Sequence, residues 1–170
     1  ARRLADIGWR GLVTVGVEPD GELAEIAAGF SLDIAVLERA HGVDAVELAL
    51  RSVSATAGSP EPVEGFPRAA VAAQLRSTLP PGEAGRVTAR LPGVEQLPAG
   101  APDVVAVSGY EPGDRLDPWY DALLATVSAG ARDGATAARA VADALTGLPD
   151  AGVPHDGAEV CAVLGRLASG

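Results

Sequence analysis

Hydrophobic positions along this chain follow two rhythms. Gly11-Leu12-Val13-Thr14-Val15-Gly16-Val17 and Asp103-Val104-Val105-Ala106-Val107-Ser108 are short, valine-rich and apolar at successive positions. That pattern predicts strands covered on both faces. Val43 to Leu50 and Arg86 to Leu91 are weaker strand candidates. Elsewhere the spacing is helical. From Glu22 onward, Leu23, Ile26, Ala27, Phe30, Ile34 and Leu37 form one stripe, with Asp20 in the N-cap position and Gly42 as the stop. Gly29-Phe30-Ser31 breaks that stripe into two shorter helices.

Four further helices follow from the same spacing. Phe66 to Leu79 reads as helix and ends at Pro80-Pro81. Asp117-Pro118 makes a cap and first-turn pair opening a helix through Trp119, Leu123 and Val127. Ala135 to Leu145 ends at Gly147. A last helix starts at Asp156 with Glu159 completing a capping box, and turns Val160, Val163, Leu164 and Leu167 inward. Residues 43–53 stay open between strand and helix, because Asp44 and Glu47 also form a capping box ahead of Ala49, Leu50 and Val53. As a helix, the segment would resemble the second half of a helix-turn-helix. Asp44 and Glu47 against Arg51 alone exclude its nucleic-acid version.

This order predicts an α/β fold: a mostly parallel sheet of about four strands flanked by helices, with a helical C-terminal third. The connections Ser54 to Pro67, Pro92 to Pro102 and Gly147 to Gly157 have the length of surface loops, so residues 1–170 are expected to form a single domain. A helical stretch before the first strand would suit part of a larger βα-repeat protein, and a start without Met would suit a processed or excised piece.

Composition narrows the chemistry. The chain has 170 residues, 48% of them hydrophobic, which rules out general disorder. Thirteen basic against 23 acidic residues give a net charge of −10, with no basic stripe for DNA or RNA. Lys, Met and Asn are absent, as codon usage in a GC-rich genome would produce, so arginine in place of lysine carries no functional meaning. Mechanisms that need a lysine from this chain, such as Schiff-base, P-loop or kinase chemistry, are excluded. Cys161 is the sole cysteine, and neither a signal peptide nor a membrane span is visible, so a cytoplasmic protein is expected.

Two strand-to-helix turns share a pattern: Val17-Glu18-Pro19-Asp20-Gly21 and Tyr110-Glu111-Pro112-Gly113-Asp114. On parallel strands both would lie at the carboxyl edge of one sheet, where α/β folds hold ligands. Glu18 and Glu111 are therefore the candidate catalytic acid/base pair, with Asp114, Arg115, Trp119 and Tyr120 as candidate ligand-binding residues. Against this stands the plainer reading that Pro, Asp and Glu build good helix starts.

Other motifs fail. Gly16 to Gly21 has phosphate-loop spacing, but Glu22-Leu23 stands where Lys and Ser or Thr belong, and no dinucleotide fingerprint follows a strand. Ser108 lacks the flanking glycines of a nucleophile elbow. His155, Asp156, Glu159 and Cys161 lack metal-ligand spacing, so no metal is expected, and His41 suits a helix C-terminus. Arg51, Arg90 and Arg115 are candidate anion partners that more often serve as surface salt bridges.

The function expected is binding of a small polar molecule, with carboxylate acid/base chemistry if the domain is an enzyme; its cofactor is left unknown. The alternative is a non-catalytic interaction module that docks a protein partner through the Ala-rich helices at 135–145 and 156–167, within an oligomer or a larger parent protein. Neither reading involves nucleic acid or membrane.

Overall fold

Pro19-Asp20-Gly21 reverses the chain. Gly21 takes a left-handed φ of 89°, and the Asp20 carboxylate accepts the Glu22 amide at 3.1 Å. Turn chemistry of this kind joins two strands, not a strand and a helix. In the computed structural model, which describes residues 4, 6–54, 68–89 and 103–170, β1 (Val13–Val17) accordingly pairs antiparallel with β2 (Leu23–Ala28). The expected helix beginning at Glu22 is thus corrected. Its break at residues 29–31 is real: Gly29 has φ 100°, and α1 (Leu32–His41) begins just beyond and ends at Gly42 in the left-handed conformation.

The segment left open at 43–53 is helix α2 (Ala45–Val53). The Asp44 side chain accepts the Glu47 amide at 2.8 Å, satisfying one of the unpaired donors at the helix start.

Expectation and structure part again at residues 66–79. Ala69–Arg76 is strand β3, although alanine favours helix. A short β4 (Gly85–Arg86) follows; the rest of the strand expected at 86–91 is confined to residues 87–89 without regular structure, and positions 90 and 91 lie outside the described residues. Strand β5 (Asp103–Ser108) is as expected. After β6 (Arg115–Leu116), Asp117 and Pro118 open a turn, not a helix, and the chain runs into β7 (Leu123–Ala131). The two C-terminal helices, α3 (Gly134–Thr146) and α4 (Gly157–Leu167), match their expected places. The surface loops expected at Ser54 to Pro67 and Pro92 to Pro102 fall almost wholly on residues 55–67 and 90–102, outside the described residues.

The sheets are antiparallel throughout the described residues, in the orders β1-β2, β3-β7-β5 and β4-β6. The mostly parallel sheet is therefore corrected to a mixed α/β fold with antiparallel sheets. The physical reason is local: short turns reverse the chain where helical crossovers were expected, and only crossovers yield parallel pairs.

Register decides the layers. On one face of the three-stranded sheet, Leu75, Ala73 and Val71 of β3 lie opposite Ala125, Val127 and Ala129 of the central strand β7, which in turn oppose Ser108, Ala106 and Val104 of β5. Helices α3 and α4 cover this face with Ala138, Val141, Leu145 and Leu164, closing the core. The small side chains of α3 let it lie close to the sheet, and Ala137, Ala138 and Ala140 are buried there. The other face carries Ser128 and Gly130, and α1 lies close enough that a Cβ on Gly130 would stand 3.0 Å from the Arg39 carbonyl oxygen.

Polar groups pin the ends of this sheet. Asp103 takes Arg39 at 3.2 Å and Arg68 at 3.5 Å, and Arg68 also donates to the Gly130 carbonyl at 2.8 Å. At the far end of β3, the Arg76 amide donates to Asp156 Oδ1 at 2.8 Å. The Asp156 amide donates back to the Arg76 carbonyl. Asp156 thus stands at the start of α4 as expected, but its side chain holds β3 in place of the helix amides.

Candidate functional site

The turn between β5 and β7 gathers most of the residues singled out by sequence. The Asp114 carboxylate accepts the Glu111 amide at 2.8 Å, and the Asp114 amide returns a bond to the Glu111 carbonyl. This closed turn is docked on β4: the Val87 amide donates to Asp114 O, the Gly113 amide to Val87 O, and the Arg86 guanidinium to the Gly113 carbonyl. Arg115 faces Asp117 at 3.7 Å, whose other oxygen accepts the Trp119 amide at 3.1 Å. Trp119 and Tyr120 follow in the turn, 66% and 91% exposed. Glu111, Asp114, Arg115, Trp119 and Tyr120 therefore share one stretch of surface.

Glu18 belongs elsewhere. It sits in the β1–β2 turn, where its amide donates to Glu22 O and its carbonyl accepts the Gly21 amide. The strand before Glu18 is in the two-stranded sheet, and the strand before Glu111 is in the three-stranded one. Among the described residues no parallel rim brings these carboxylates together.

The remaining candidates have structural partners. His155 Nδ1 accepts the Gly157 amide at 3.1 Å. Cys161 Sγ lies 3.7 Å from the Ala142 carbonyl oxygen, between α3 and α4. Ser108 Oγ accepts the Tyr110 amide and lies 3.2 Å from Leu124 O. His41 is the last residue of α1, and Arg51 reaches Glu47 at 3.9 Å. Arg90 lies outside the described residues. Hydrogen bonding from the Thr136 amide at the start of α3 holds the Asp133 carboxyl below its ordinary value.

These contacts show where the acidity goes. Asp20, Asp44, Asp114, Asp117, Asp121, Asp133, Asp150 and Asp156 each accept a main-chain N–H. Glu38 does the same for Ala45 at 2.9 Å. Such carboxylates terminate turns and helices; they are not arranged around a common point.

Sequence reasoning overlooked one surface. Register places Val15 opposite Ile26 and Val17 opposite Leu23, so one face of the hairpin carries an apolar stripe. All four side chains are exposed. The signal was present, since Val13, Val15 and Val17 alternate with Thr14 and Gly16. Against α1, the base of the hairpin encloses a cavity of about 200 Å³ lined by Leu12, Val13, Ile34 and Leu37. Its one carboxylate, Asp33, already accepts the Ser31 hydroxyl. Cofactor-sized pockets are of the order of 300–1,000 Å³.

With this geometry in hand, comparison with solved structures is informative. The fold resembles part of a biotin carboxylase domain. Against the biotin carboxylase domain of a single-chain bacterial carboxylase, the TM-score is 0.70 at 25% identity, covering 95% of this chain and 38% of that one. Against the Hydrogenobacter thermophilus 2-oxoglutarate carboxylase biotin carboxylase domain, solved with MgADP, ADP and bicarbonate, it is 0.74 at 17% identity, covering 95% and 36%. A single-chain, multi-domain long-chain acyl-CoA carboxylase gives 0.74 at 24% identity, covering 99% and 19%. The chain thus spans well under half the length of the structures it matches, and the likeness is one of fold. No protein-family model matches the chain, and no curated protein does.

One of these neighbours was solved with a nucleotide and its magnesium ion, and the residues of this chain can be compared with the needs of such a group. Among the described residues no group of three His, Cys, Asp or Glu side chains is placed to hold a metal ion. The sequence offers no lysine for phosphates, and nine of its carboxylates accept backbone amides. The described residues do not fit that group. Among them, too, no helix is long and apolar enough to cross a membrane.

Proposed function

We propose that this chain is a scaffold portion of a biotin-carboxylase-like enzyme, and that the nucleotide and cation are held by polypeptide beyond its own described residues. The observation that carries this reading is the likeness over 95% of the chain to 36–38% of biotin carboxylase domains. The carboxylates tied to main-chain amides support the second half. Small-molecule chemistry then belongs to the larger protein, and this portion supplies the antiparallel sheet and the helices that stiffen it.

The test is direct. The 170-residue chain is heated with and without millimolar MgATP and bicarbonate, and ADP release is followed in parallel. Neither a rise in Tm nor ADP release is expected. A ligand present at a hundredfold its Kd would stabilise the fold by about 2.7 kcal/mol, a rise of roughly 5–11 °C for a domain of this size. A rise of that order, or bicarbonate-dependent ADP release, would refute the reading.

A second reading is favoured by the exposure of Trp119 and Tyr120 beside Arg115 and Asp114. Here a small polar ligand is held by that turn, with Glu111 as its acid/base group. Glu18 would share that work only if the hairpin turn reached the same ligand. Quenching of tryptophan fluorescence by a candidate ligand, lost in Trp119→Phe but not in Trp9→Phe, would support this reading; equal quenching in both variants would dismiss it.

A further inference from the structure

Helix α2 turns an apolar stripe to the outside. Val46, Leu50 and Val53 stand at i, i+4 and i+7 on one face, and they are 50–65% exposed. The helix is fastened to α1 at its start, where Ala45 is buried and its amide donates to Glu38 Oε1 at 2.9 Å. Glu47 and Arg51, both exposed and 3.9 Å apart, line one flank of the stripe. Arg10 donates to the Ser52 carbonyl, which brings a segment with exposed Trp9 to the C-terminal end of the helix. Charge is balanced around this face, Arg10 and Arg51 against Asp44 and Glu47, in a chain whose net charge is −10. The exposed hairpin stripe, by contrast, is framed by Glu18, Asp20, Glu22 and Glu25, and two copies meeting there would repel.

We infer that α2 is a self-association face, on which a second copy of this chain lays its own α2 antiparallel about a two-fold axis level with Ala49. Symmetry selects this occupant and its orientation. A two-fold axis that relates antiparallel helices sets the same flank of each against the other. Level with Ala49, it puts Glu47 opposite Arg51 of the second copy, and Arg51 opposite Glu47 of the second copy. Val46 then meets Val53 of the second copy, and the two Leu50 side chains meet at the centre. A parallel pair turns opposite flanks together, and Glu47 and Arg51 gain nothing from it. Three apolar side chains per copy fall well short of the roughly 800 Å² per partner of a standard interface, so the dimer is weak, with a Kd on the order of 100 μM. The inference is independent of the carboxylase reading.

The test is sedimentation velocity of the 170-residue chain over about 10 μM to about 1 mM. A monomer–dimer shift is expected, abolished by Leu50→Asp with the far-UV circular dichroism unchanged. Glu47→Arg and Arg51→Glu should each weaken association several-fold, although they move the net charge in opposite directions. An equimolar mixture of these two variants should associate more tightly than either alone, because each supplies the charge the other lacks at both contacts. Orientation is read with Cys161→Ser as background: Val46→Cys mixed with Val53→Cys should form disulfide-linked dimers faster than either variant by itself. A chain that stays monomeric throughout, a dimer that survives Leu50→Asp, or a mixture no tighter than its components would each overturn the self-association face. Opposite responses of the two charge variants would reveal a bulk charge effect and overturn the paired charges. Faster linking of either cysteine variant with itself would overturn the antiparallel arrangement.

Discussion

Leu75 tests the layer assignment most sharply. It is fully buried on the face of β3 that meets α3 and α4, opposite Ala125, and its Cδ1 would lie 3.2 Å from a Cβ on Gly157 at the start of α4. Leu75→Ala removes three carbons from this site, forfeiting about 2.4 kcal/mol of transfer free energy at about 0.8 kcal/mol per carbon. The cavity left behind brings the cost to about 3–4 kcal/mol, since β3, β7 and α4 are tied together by hydrogen bonds and collapse only partly. Val107 of β5 is the contrast. It is 64% exposed and lies on the opposite face, paired with Thr126. Val107→Ala should cost less than about 1 kcal/mol, most of it strand preference. Urea unfolding at neutral pH, followed by circular dichroism, measures both. The difference should appear in thermal melts as a fall of roughly 6–16 °C for Leu75→Ala against no more than about 4 °C for Val107→Ala. Equal costs for the two would show that the register, and with it the placing of the helices, is wrong.

Two smaller perturbations follow from local geometry. Gly152 has φ 76°, and a Cβ there would meet the Arg86 carbonyl oxygen at 2.9 Å and the Thr88 side chain. Gly152→Ala should therefore cost at least about 2 kcal/mol through backbone strain and overpacking, read as a lower urea midpoint; an unchanged midpoint would show that this loop is not held against residues 86–88. Asp133 has its pKa lowered by the Thr136 amide, so the folded state favours the carboxylate. Its contribution is complete above the ordinary value of 3.8 and is lost as the pH falls through the depressed folded value. Asp133→Ala should thus be less stable than the parent chain at neutral pH, with the gap narrowing below about pH 4; a gap that stays constant into strong acid would remove the ionised cap as its cause.

Part of this architecture was legible from local pattern alone. In β5, α3 and α4 the local preference and the tertiary environment agree: the valines of β5 favour a strand and lie in one, and the alanines of α3 favour a helix and need to be small beneath it. β1 is a strand as its valines favour, but Val15 and Val17 are exposed, so it is not covered on both faces. At β3 they conflict. Ala-Ala-Val-Ala-Ala-Gln-Leu-Arg is a helical composition, but its small side chains allow two helices to approach the sheet, and that tertiary demand prevails. Leu23 and Ile26 share helical spacing by coincidence, while Pro19-Asp20-Gly21 carries the true signal, a turn whose Asp also suits a helix cap. Asp117-Pro118 misled in the same way, since a residue pair that starts helices also starts turns. For the candidate site, the grouping of Glu111, Asp114 and Arg115 was legible because it is local. The partnership of Glu18 with Glu111 depended on strand direction, which no residue pattern in either strand records.

The acids bonded to main-chain amides limit how this protein can be re-engineered. Negative charge here is distributed as a set of fasteners at loop corners, so a surface redesign that neutralises Asp44, Asp114, Asp121 or Asp150 to adjust the isoelectric point would loosen the joints between secondary elements. Glu25 and Glu159 lie outside that set of acceptors, and it is at such positions that solubility can be tuned with the framework left intact.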